Sequence, residues 1–342
     1  MTPLEPSRCE HWIDMEGVEL NRCPGTLAPG FGTYSRTCVN RVFNGHKVRH
    51  VLPYQSAHSG TSDGDDFEES TLRISISGVQ EKFSMLQLKN KIRVAREGEQ
   101  GTHILKPIPE GLKNADQMPA NEHLTMQIAR QVFGIETAEN ALIFFGNGDP
   151  AYLTKRFDIL ASGQKLAQED FASLAGRSPQ THGAEYKYLG SYFDIFELMR
   201  ANIPSYRVES IKLFKLLVFN YLFSNGDAHL KNFSITELPQ GDFKLSPAYD
   251  LLNSRIHIED SDFALREGLV PPRLGQGSVR TQFQTLAELA GIPSTQRESI
   301  LTMMCANSDR VEDLVNASFL KDRIQRNYLQ SYKARLKKLT RD

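Results

Sequence analysis

Short apolar runs dominate the chain between residues 72 and 158. The runs LRISIS, FSMLQL, IRVA, THILK, ALIFF and AYLTKRF are rich in β-branched and aromatic residues and are separated by clusters of Gly, Asn and Glu. Runs of this length, bounded by turn-forming residues, are typical of β-strands. The pattern predicts an antiparallel sheet.

One helix interrupts the sheet pattern, in the segment MPANEHLTMQIARQVFG. Apolar residues recur at helical spacing at Leu124, Ile128 and Val132, with Asn121 as a candidate N-cap and Gly134 as a stop signal. The sequence therefore predicts a helix that begins near Asn121.

After Asp158 the apolar pattern becomes helical. The strongest segment is RVESIKLFKLLVFNYLFSNG, in which we expect Asn225 and Gly226 to end the helix. Its apolar positions at helical spacing are Ile211, Phe214, Leu217, Val218, Tyr221 and Leu222. We also expect a strand at Phe243 to Leu245 and helices over 281–291, 295–307 and 318–339.

A sheet-rich half followed by a helical half predicts a two-lobed α+β fold, the layout of protein kinases. The boundaries would be an N-terminal extension over 1–70, an N-lobe over 71–157 and a helical C-lobe over 158–342. Within the extension, residues 55–70 lack apolar periodicity and carry a block of carboxylates, which predicts a flexible acidic linker. Fold alone does not give function.

The cysteines of the extension raise the question of a zinc site. Cys9, Cys23 and Cys38 lie near His11 and His46, and thiolate and imidazole are the usual zinc ligands. There is no C-x-x-C pair, so free thiols are the preferred interpretation.

Composition and charge exclude few classes of function. The formal net charge is −1, which favours no class of partner. The longest apolar run, near 213–223, is too short to span a bilayer, and the N-terminus has no basic stretch followed by an apolar region. We therefore expect a cytoplasmic protein without a membrane partner.

The strongest candidate for chemistry is NGDAHLKNFS, at 225–234. Asp227 and Asn232 have the spacing of a kinase catalytic loop, where the Asp accepts the proton of the substrate hydroxyl and the Asn holds a metal ion. Asp250, eighteen residues further on, would be a second oxygen ligand for Mg²⁺. Lys231 would add positive charge near the transferred phosphoryl group.

The same stretch also has a structural interpretation. Asn225, Gly226 and Asp227 are common turn formers, and His229 and Asn232 could simply hold a polar loop together. Even at an active site, we expect His229 to be a hydrogen-bonded scaffold residue rather than an acid or base.

Two upstream features fit a nucleotide site. Lys106 ends the apolar run THILK, where a kinase places its phosphate-binding lysine, and Glu122 in the following helix could be its ion-pair partner. The turn in RISISGVQEKFSML, with Ser75 and Ser77, could cover phosphates with its backbone N–H groups. Each feature also has a structural alternative. Lys106 could be a surface lysine and Glu122 a capping glutamate. The serine-containing turn could be a plain hairpin.

Together these stretches resemble the HipA family of serine/threonine kinases, the toxin kinases of bacterial toxin–antitoxin modules. The matching pieces, which span residues 73 to about 254, are SISGVQEKFSML, THILKP, NEHLTM, TKRFD, QEDF, NGDAHLKNFS and LSPAYDLLNS, in that order.

The resemblance implies a kinase that uses ATP and Mg²⁺, with Asp227 as catalytic base, Asn232 and Asp250 as metal ligands, and Lys106 on the phosphates with Glu122 as its structural partner. TKRFD would be the hinge whose backbone meets adenine. The other residues assigned to ATP are Ser77, Gly78, Val79, Gln80, Glu81, Lys155, Arg156, Phe157 and His229.

The family also autophosphorylates a serine in the loop over ATP, and here the candidates are Ser75 and Ser77. A phosphate there would repel anionic ATP, so the kinase would inactivate itself. Characterised toxins of the family phosphorylate aminoacyl-tRNA synthetases. The implied partners are such a synthetase and antitoxins of HipB or HipS type, with DNA contacted only through an antitoxin.

The short region before the motifs resembles the HipT branch, in which a separate small protein supplies an N-terminal subdomain. One alternative function is a kinase-like ATP-binding module in an antitoxin and repressor complex. The basic helix near Lys333 to Arg341 could be its contact surface, although a solvated charged face is the preferred interpretation of that helix. Another alternative function is a Mg²⁺-dependent hydrolase that uses Asp227 and Asp250, although this leaves Lys106 unexplained.

Overall fold

A computed structural model describes residues 18–56, 81–259 and 261–341. Several predictions lie outside these residues: the acidic linker from residue 57 onward, the strand LRISIS, and Cys9 and His11 of the zinc hypothesis. The loop residues Ser75, Ser77, Gly78, Val79 and Gln80 also lie outside them.

The first half is built on a five-stranded antiparallel sheet. Its strands are β1 (Phe83–Leu88), β2 (Lys91–Val94), β3 (His103–Lys106), β4 (Asn140–Phe144) and β5 (Pro150–Lys155). Their order is β2-β1-β3-β5-β4, so β3 lies at the centre of the sheet. The predicted antiparallel sheet is confirmed for the strands in this part of the chain.

Two helices pack against this sheet. Helix α1 (Arg36–Phe43) belongs to the N-terminal extension, and its buried residues share an apolar core with one face of the sheet, for example Val42 and Phe43 with Phe83 and Leu105. Helix α2 (Met118–Gln131) follows β3, and its apolar residues join the core of the second half instead. The two helices therefore link the sheet to different cores.

The second half is mainly helical, as predicted. Its helices are α3 (Phe171–Leu174), α4 (Pro179–His182), α5 (Tyr192–Asn202), α6 (Tyr206–Leu222), α7 (Val279–Leu289), α8 (Ser294–Cys305), α9 (Ser308–Asn316) and α10 (Asp322–Leu339). A small antiparallel sheet joins β6 (Gln168–Asp170), β7 (Ser234–Glu237) and β8 (Phe243–Leu245). The two-lobed α+β fold is confirmed.

Three local predictions were wrong. Helix α2 begins at Met118 after Gln117, so Asn121 is a buried residue within the helix and not its N-cap. Helix α6 ends at Leu222, and the residue that turns the chain in the left-handed region is Ser224 (φ 53°) rather than Asn225 or Gly226. The helix expected over 318–339 starts only at Asp322, and α9 precedes it.

In the described part of the chain, no helix is both long enough and apolar enough to cross a membrane.

Candidate active site

A buried lysine joins the two halves of the molecule. Lys106 ends the central strand β3, and its Nζ lies 2.7 Å from Oε1 of Glu122 in α2. The same ammonium donates to Oδ1 of Asp250, in the loop after β8. The Tyr152 ring lies 5.4 Å below it. The predicted pair of Lys106 and Glu122 is therefore extended by Asp250 into a triad.

The charges of this triad depend on one another. Burial alone would lower the pKa of Lys106, but the carboxylates of Asp250 and Glu122 outweigh burial and raise that pKa. Burial would raise the pKa of Asp250, but Lys106 and Lys82 hold it below its usual range. Burial raises the pKa of Glu122, because the effect of burial is larger than the opposing effect of the Lys106 charge. Asp250 is thus the carboxylate kept most firmly ionised.

Asp227 lies in the loop after α6, with its side chain about two-fifths exposed (42%). Its Oδ1 accepts a hydrogen bond of 2.8 Å from the Tyr188 hydroxyl. The side-chain nitrogen of Asn232 donates to the Asp227 carbonyl over 3.1 Å, which commits the amide nitrogen and leaves Oδ1 of Asn232 available for a ligand. Burial raises the pKa of Asp227, while the bond from Tyr188 opposes the shift.

The loop that carries Asp227 is fastened to the loop that carries Asp250. Asn225 donates its side-chain N–H to the Asp250 carbonyl over 3.3 Å, and the Gly226 N–H donates to Oγ of Ser254 over 2.9 Å. Ser254 in turn donates to the carbonyl of Ser224 over 2.9 Å. These bonds hold the candidate base and the candidate metal ligand in one unit.

Helix α2 holds the same unit from the other side. The Asn121 side chain accepts from the Asn253 N–H over 3.1 Å, and its amide nitrogen lies 2.9 Å from both the Asn253 carbonyl and Nε2 of His257. Asn121 is fully buried, so these bonds explain why a polar residue lies inside the helix. Asp250 itself has φ 55°, in the left-handed region that Asp tolerates better than most residues.

Lys231 and His229 lie in the same loop as Asp227. Nζ of Lys231 is 3.9 Å from Oδ2 of Asp170, the residue that caps α3, and its side chain is 40% exposed. His229 Nε2 is 3.9 Å from Oδ1 of Asp227. Burial and the charge of Lys187 lower the pKa of His229 to about 3, so this imidazole is neutral at physiological pH.

The side chains of the predicted hinge residues have different partners. Lys155 Nζ bonds to Oδ1 of Asn44 at 2.6 Å, and the Arg156 side chain pairs with Asp158. Phe157 stacks on Tyr249, with ring centroids 5.9 Å apart. The three side chains line a cleft of about 550 Å³ whose lining does not include Lys106, Asp227 or Asp250. Contact between ATP and the hinge therefore stays a prediction about the backbone.

The donor set fits a magnesium ion. Mg²⁺ takes hard oxygen ligands and keeps several waters, and the Asp250 carboxylate with the Asn232 amide oxygen meets that demand. Two buried atoms beside Asp227, Oδ1 of Asn225 and Nδ1 of His229, have no hydrogen-bond partner among the described residues. Such atoms are suited to a hydrated ligand. The expectation of a hydrogen-bonded His229 is therefore not met at Nδ1, and its Nε2 lies 3.9 Å from Oδ1 of Asp227, beyond hydrogen-bond distance.

The zinc hypothesis receives no support from the part of the chain that is described. There, no three His, Cys, Asp or Glu side chains gather in a way that could hold a metal. Cys23 and Cys38 are buried free thiols. A hydrogen bond from Cys38 holds the pKa of Cys23 below its usual range.

Two residues near the candidate site were not predicted from the sequence. Lys82 Nζ lies 3.9 Å from Oδ2 of Asp250, and its position directly after the predicted phosphate loop was a usable signal. Tyr188, the partner of Asp227, lies 39 residues before it and carries no spacing signal. Glu81, assigned to ATP by the resemblance, is exposed.

Comparison with known proteins shows which family the chain resembles. The model of the family described as HipA-like C-terminal domain matches residues 74–311 of this chain. A putative kinase, Y4mE, of Sinorhizobium fredii is 31% identical over 189 residues, which is 54% of this chain and 43% of that protein. The serine/threonine-protein kinase toxin HipA of Shewanella oneidensis is 24% identical over 53% of this chain and 43% of its own length. The match thus spans less than half the length of each of these two relatives.

A solved structure shows the same fold. A chain of the complex of HipA, HipB and operator DNA from the Shewanella oneidensis MR-1 toxin–antitoxin system superposes with a TM-score of 0.57 at 21% identity. The superposition covers 77% of this chain and 63% of that one. At this identity the similarity establishes the architecture only.

Proposed function

The chain belongs to the family of HipA-like C-terminal domains, and from this membership we propose that it is a serine/threonine protein kinase that uses ATP and Mg²⁺. The observation that carries the proposal is the triad of the buried Lys106 and Glu122 with the partly exposed Asp250, which lies in one unit with the loop of Asp227. A kinase needs both parts in place for phosphoryl transfer.

Each group has a role that its surroundings support. Asp227 accepts the proton of the attacking hydroxyl, while Asn232 and Asp250 provide oxygen ligands for Mg²⁺. Lys106 has three N–H donors, of which the two carboxylates use two, and the third is left for a phosphate oxygen. Lys231 adds positive charge beside Asp227. Bound Mg²⁺ would neutralise charge on the phosphates.

We further propose that the kinase is the cytoplasmic toxin of a HipBA- or HipBST-type module. In this proposal it phosphorylates an aminoacyl-tRNA synthetase and autophosphorylates on Ser75 or Ser77. It binds an antitoxin of HipB or HipS type and reaches DNA only through that antitoxin, in the arrangement of the HipT branch. Family membership supports this, as does the presence of HipA, HipB and operator DNA in the similar solved complex.

The alternative of a pure binding module relied on the basic helix near Lys333 to Arg341. In α10, Lys333 pairs with Glu312 at 2.9 Å, Arg335 is buried and Lys338 lies 3.7 Å from Asp262. Acidic neighbours therefore offset the charge of this helix, and we favour the kinase.

The test is incubation of the purified chain with radiolabelled ATP and Mg²⁺. We expect the wild-type protein to label itself, the Asp227→Asn variant to lose at least about a hundredfold in rate because the base is gone, and the double variant Ser75→Ala, Ser77→Ala to accept little label. Asp242→Asn, at an exposed site, is the matched control and should retain the label. Nucleotide binding without any transfer by the wild-type protein would favour the binding module.

A further inference from the structure

A tyrosine outside the catalytic loop holds the carboxylate of the candidate base. The Tyr188 hydroxyl donates to Oδ1 of Asp227 at 2.8 Å. Tyr188 ends a turn of 3-10 helix (Tyr186–Tyr188) between α4 and α5. A hydrogen bond to an ionised group is among the stronger kinds, and it fixes the direction in which the group points.

The Tyr188 ring is itself fixed on several sides. It meets the His229 ring edge to face, with centroids 5.2 Å apart and planes at 76°. The Lys187 ammonium lies 4.9 Å from the centre of the same ring. The Tyr188 carbonyl accepts the Arg266 N–H over 2.9 Å. The hydroxyl is therefore aimed at Asp227 by packing as well as by the backbone.

The segment that contains Tyr188 runs beside residues 265–269. Gly190 accepts from the Glu267 N–H, and Phe193 donates its N–H to the Leu269 carbonyl. From the same segment, the Tyr192 hydroxyl donates to the Ala228 carbonyl at 2.8 Å. One tyrosine thus holds the side chain of the base and a second holds the backbone directly after it.

We propose that Tyr188 is a positioning residue for Asp227. By occupying Oδ1, it directs Oδ2 toward the acceptor hydroxyl of a substrate. In the transfer step the acceptor gives its proton to Oδ2, its oxygen forms the new bond to the γ-phosphorus, and the bond from that phosphorus to the bridging oxygen breaks to leave ADP. The inference rests on the proposed kinase function and adds a residue to it.

The test uses Tyr188→Phe in the full chain, which removes the hydroxyl but keeps the ring on His229. We measure the maximal rate of autophosphorylation and, separately, the ATP concentration that gives half of it. Since hydrogen bonds to charged groups contribute about 1.5–3 kcal/mol, the maximal rate should fall roughly 10- to 100-fold. The half-saturating ATP concentration should change less than about twofold, because the hydroxyl that is removed bonds to the Asp227 carboxylate, whereas in the proposed function Lys106 holds the phosphates. General loss of structure would change both values.

Tyr186→Phe is the matched control from the same turn, since Tyr186 is not among the partners of the Asp227 carboxylate, and it should leave both values unchanged. A rate for Tyr188→Phe equal to or above that of the wild type would overturn the inference. An increase would show that the phenol blocks the acceptor position.

A second measurement does not depend on activity. Melting temperatures are compared for Tyr188→Phe, Asp227→Ala and the double variant. If the contact exists, Tyr188→Phe lowers the melting temperature in the wild-type background but much less beside Asp227→Ala, and fully additive shifts would overturn the inference. If the wild-type chain transfers no phosphate, the proposed function fails and the role of Tyr188 fails with it. If only Asp227→Asn loses transfer and Tyr188→Phe does not, the inference alone fails.

Discussion

At the scale of single residues, one cation balances two carboxylates in the triad. The side chains of Lys106 and Glu122 are 6% and 3% exposed, whereas that of Asp250 is 25% exposed and has Lys82 as a second neighbour. Taking ions out of water is costly, and only close pairing offsets the cost. Lys106 is therefore a structural residue as well as a candidate ligand for phosphates.

We predict that Lys106→Met lowers the free energy of unfolding by about 3–5 kcal/mol, the usual cost when one partner of a buried ion pair is removed. The control is Lys82→Met, which removes a partly exposed ammonium 3.9 Å from Asp250 and should cost no more than about 1 kcal/mol. Urea unfolding followed by circular dichroism measures both. Equal losses for the two variants would contradict the triad.

Sequence patterns identified the residues of the site that belong to local motifs. The spacing of Asp227 and Asn232 and the position of Lys106 at the end of a strand were visible, and the structure brings these residues to one region. The role of Tyr188 could not be predicted, because it depends on a contact with a residue 39 positions away, which no local sequence pattern encodes. Asn121 was misread as a cap, because a polar residue near a helix start has the same sequence signature whether it binds the helix or another loop.

At the scale of elements, the N-terminal extension is packed tightly against the sheet. Gly25 lies under α1 and beside β4. A Cβ atom added at Gly25 would lie 2.1 Å from Sγ of Cys38 and 3.4 Å from Cβ of Ala141. Cys38 is 1% exposed, so its sulfur is enclosed by the core and can move only if its neighbours shift.

Gly25→Ala should therefore destabilise the protein by about 1–3 kcal/mol, the typical cost of overpacking a core. Gly32→Ala, in the same extension, is the control: its added Cβ meets only the Leu20 carbonyl at 3.8 Å. Combining Gly25→Ala with Cys38→Ala should restore part of the loss, because the clashing sulfur is gone. Urea denaturation curves compare the variants, and a neutral Gly25→Ala would show that α1 packs loosely here.

Helix boundaries were less predictable than helix positions. The helix predicted over 318–339 starts only at Asp322, and α9 (Ser308–Asn316) was not predicted. The break between α9 and α10 has one local and one tertiary contact: Ser318 Oγ bonds to the Val315 carbonyl, and Lys321 donates its N–H to Oε1 of the distant Gln117 over 2.8 Å. Side chains thus satisfy backbone groups that a longer helix would have used, and the bond to Gln117 is one that no local pattern encodes.

At the scale of the whole molecule, the candidate site joins two apolar cores. Lys106 follows Leu105, which lies in the core shared by the sheet and the N-terminal extension. Glu122 lies on α2, whose apolar side chains belong to the core of the helical half. The Thr125 and Tyr328 hydroxyls, 2.8 Å apart, further bind α2 to α10. A ligand that contacts both Lys106 and Asp250 would therefore stabilise the two cores together.

This arrangement predicts how a nucleotide changes the melting temperature. ADP with Mg²⁺, at about a hundred times its dissociation constant, should stabilise the folded chain by about 2.7 kcal/mol, a rise of roughly 2–4 °C in one transition. Asp250→Asn should lose the part of the rise that requires Mg²⁺, because it removes a charged oxygen ligand from the metal. Each variant is compared with its own ligand-free melting temperature, since Asp250→Asn also weakens the bond to Lys106. Asp242→Asn should behave as the wild type, and an undiminished Mg²⁺-dependent rise in Asp250→Asn would remove Asp250 from the metal site.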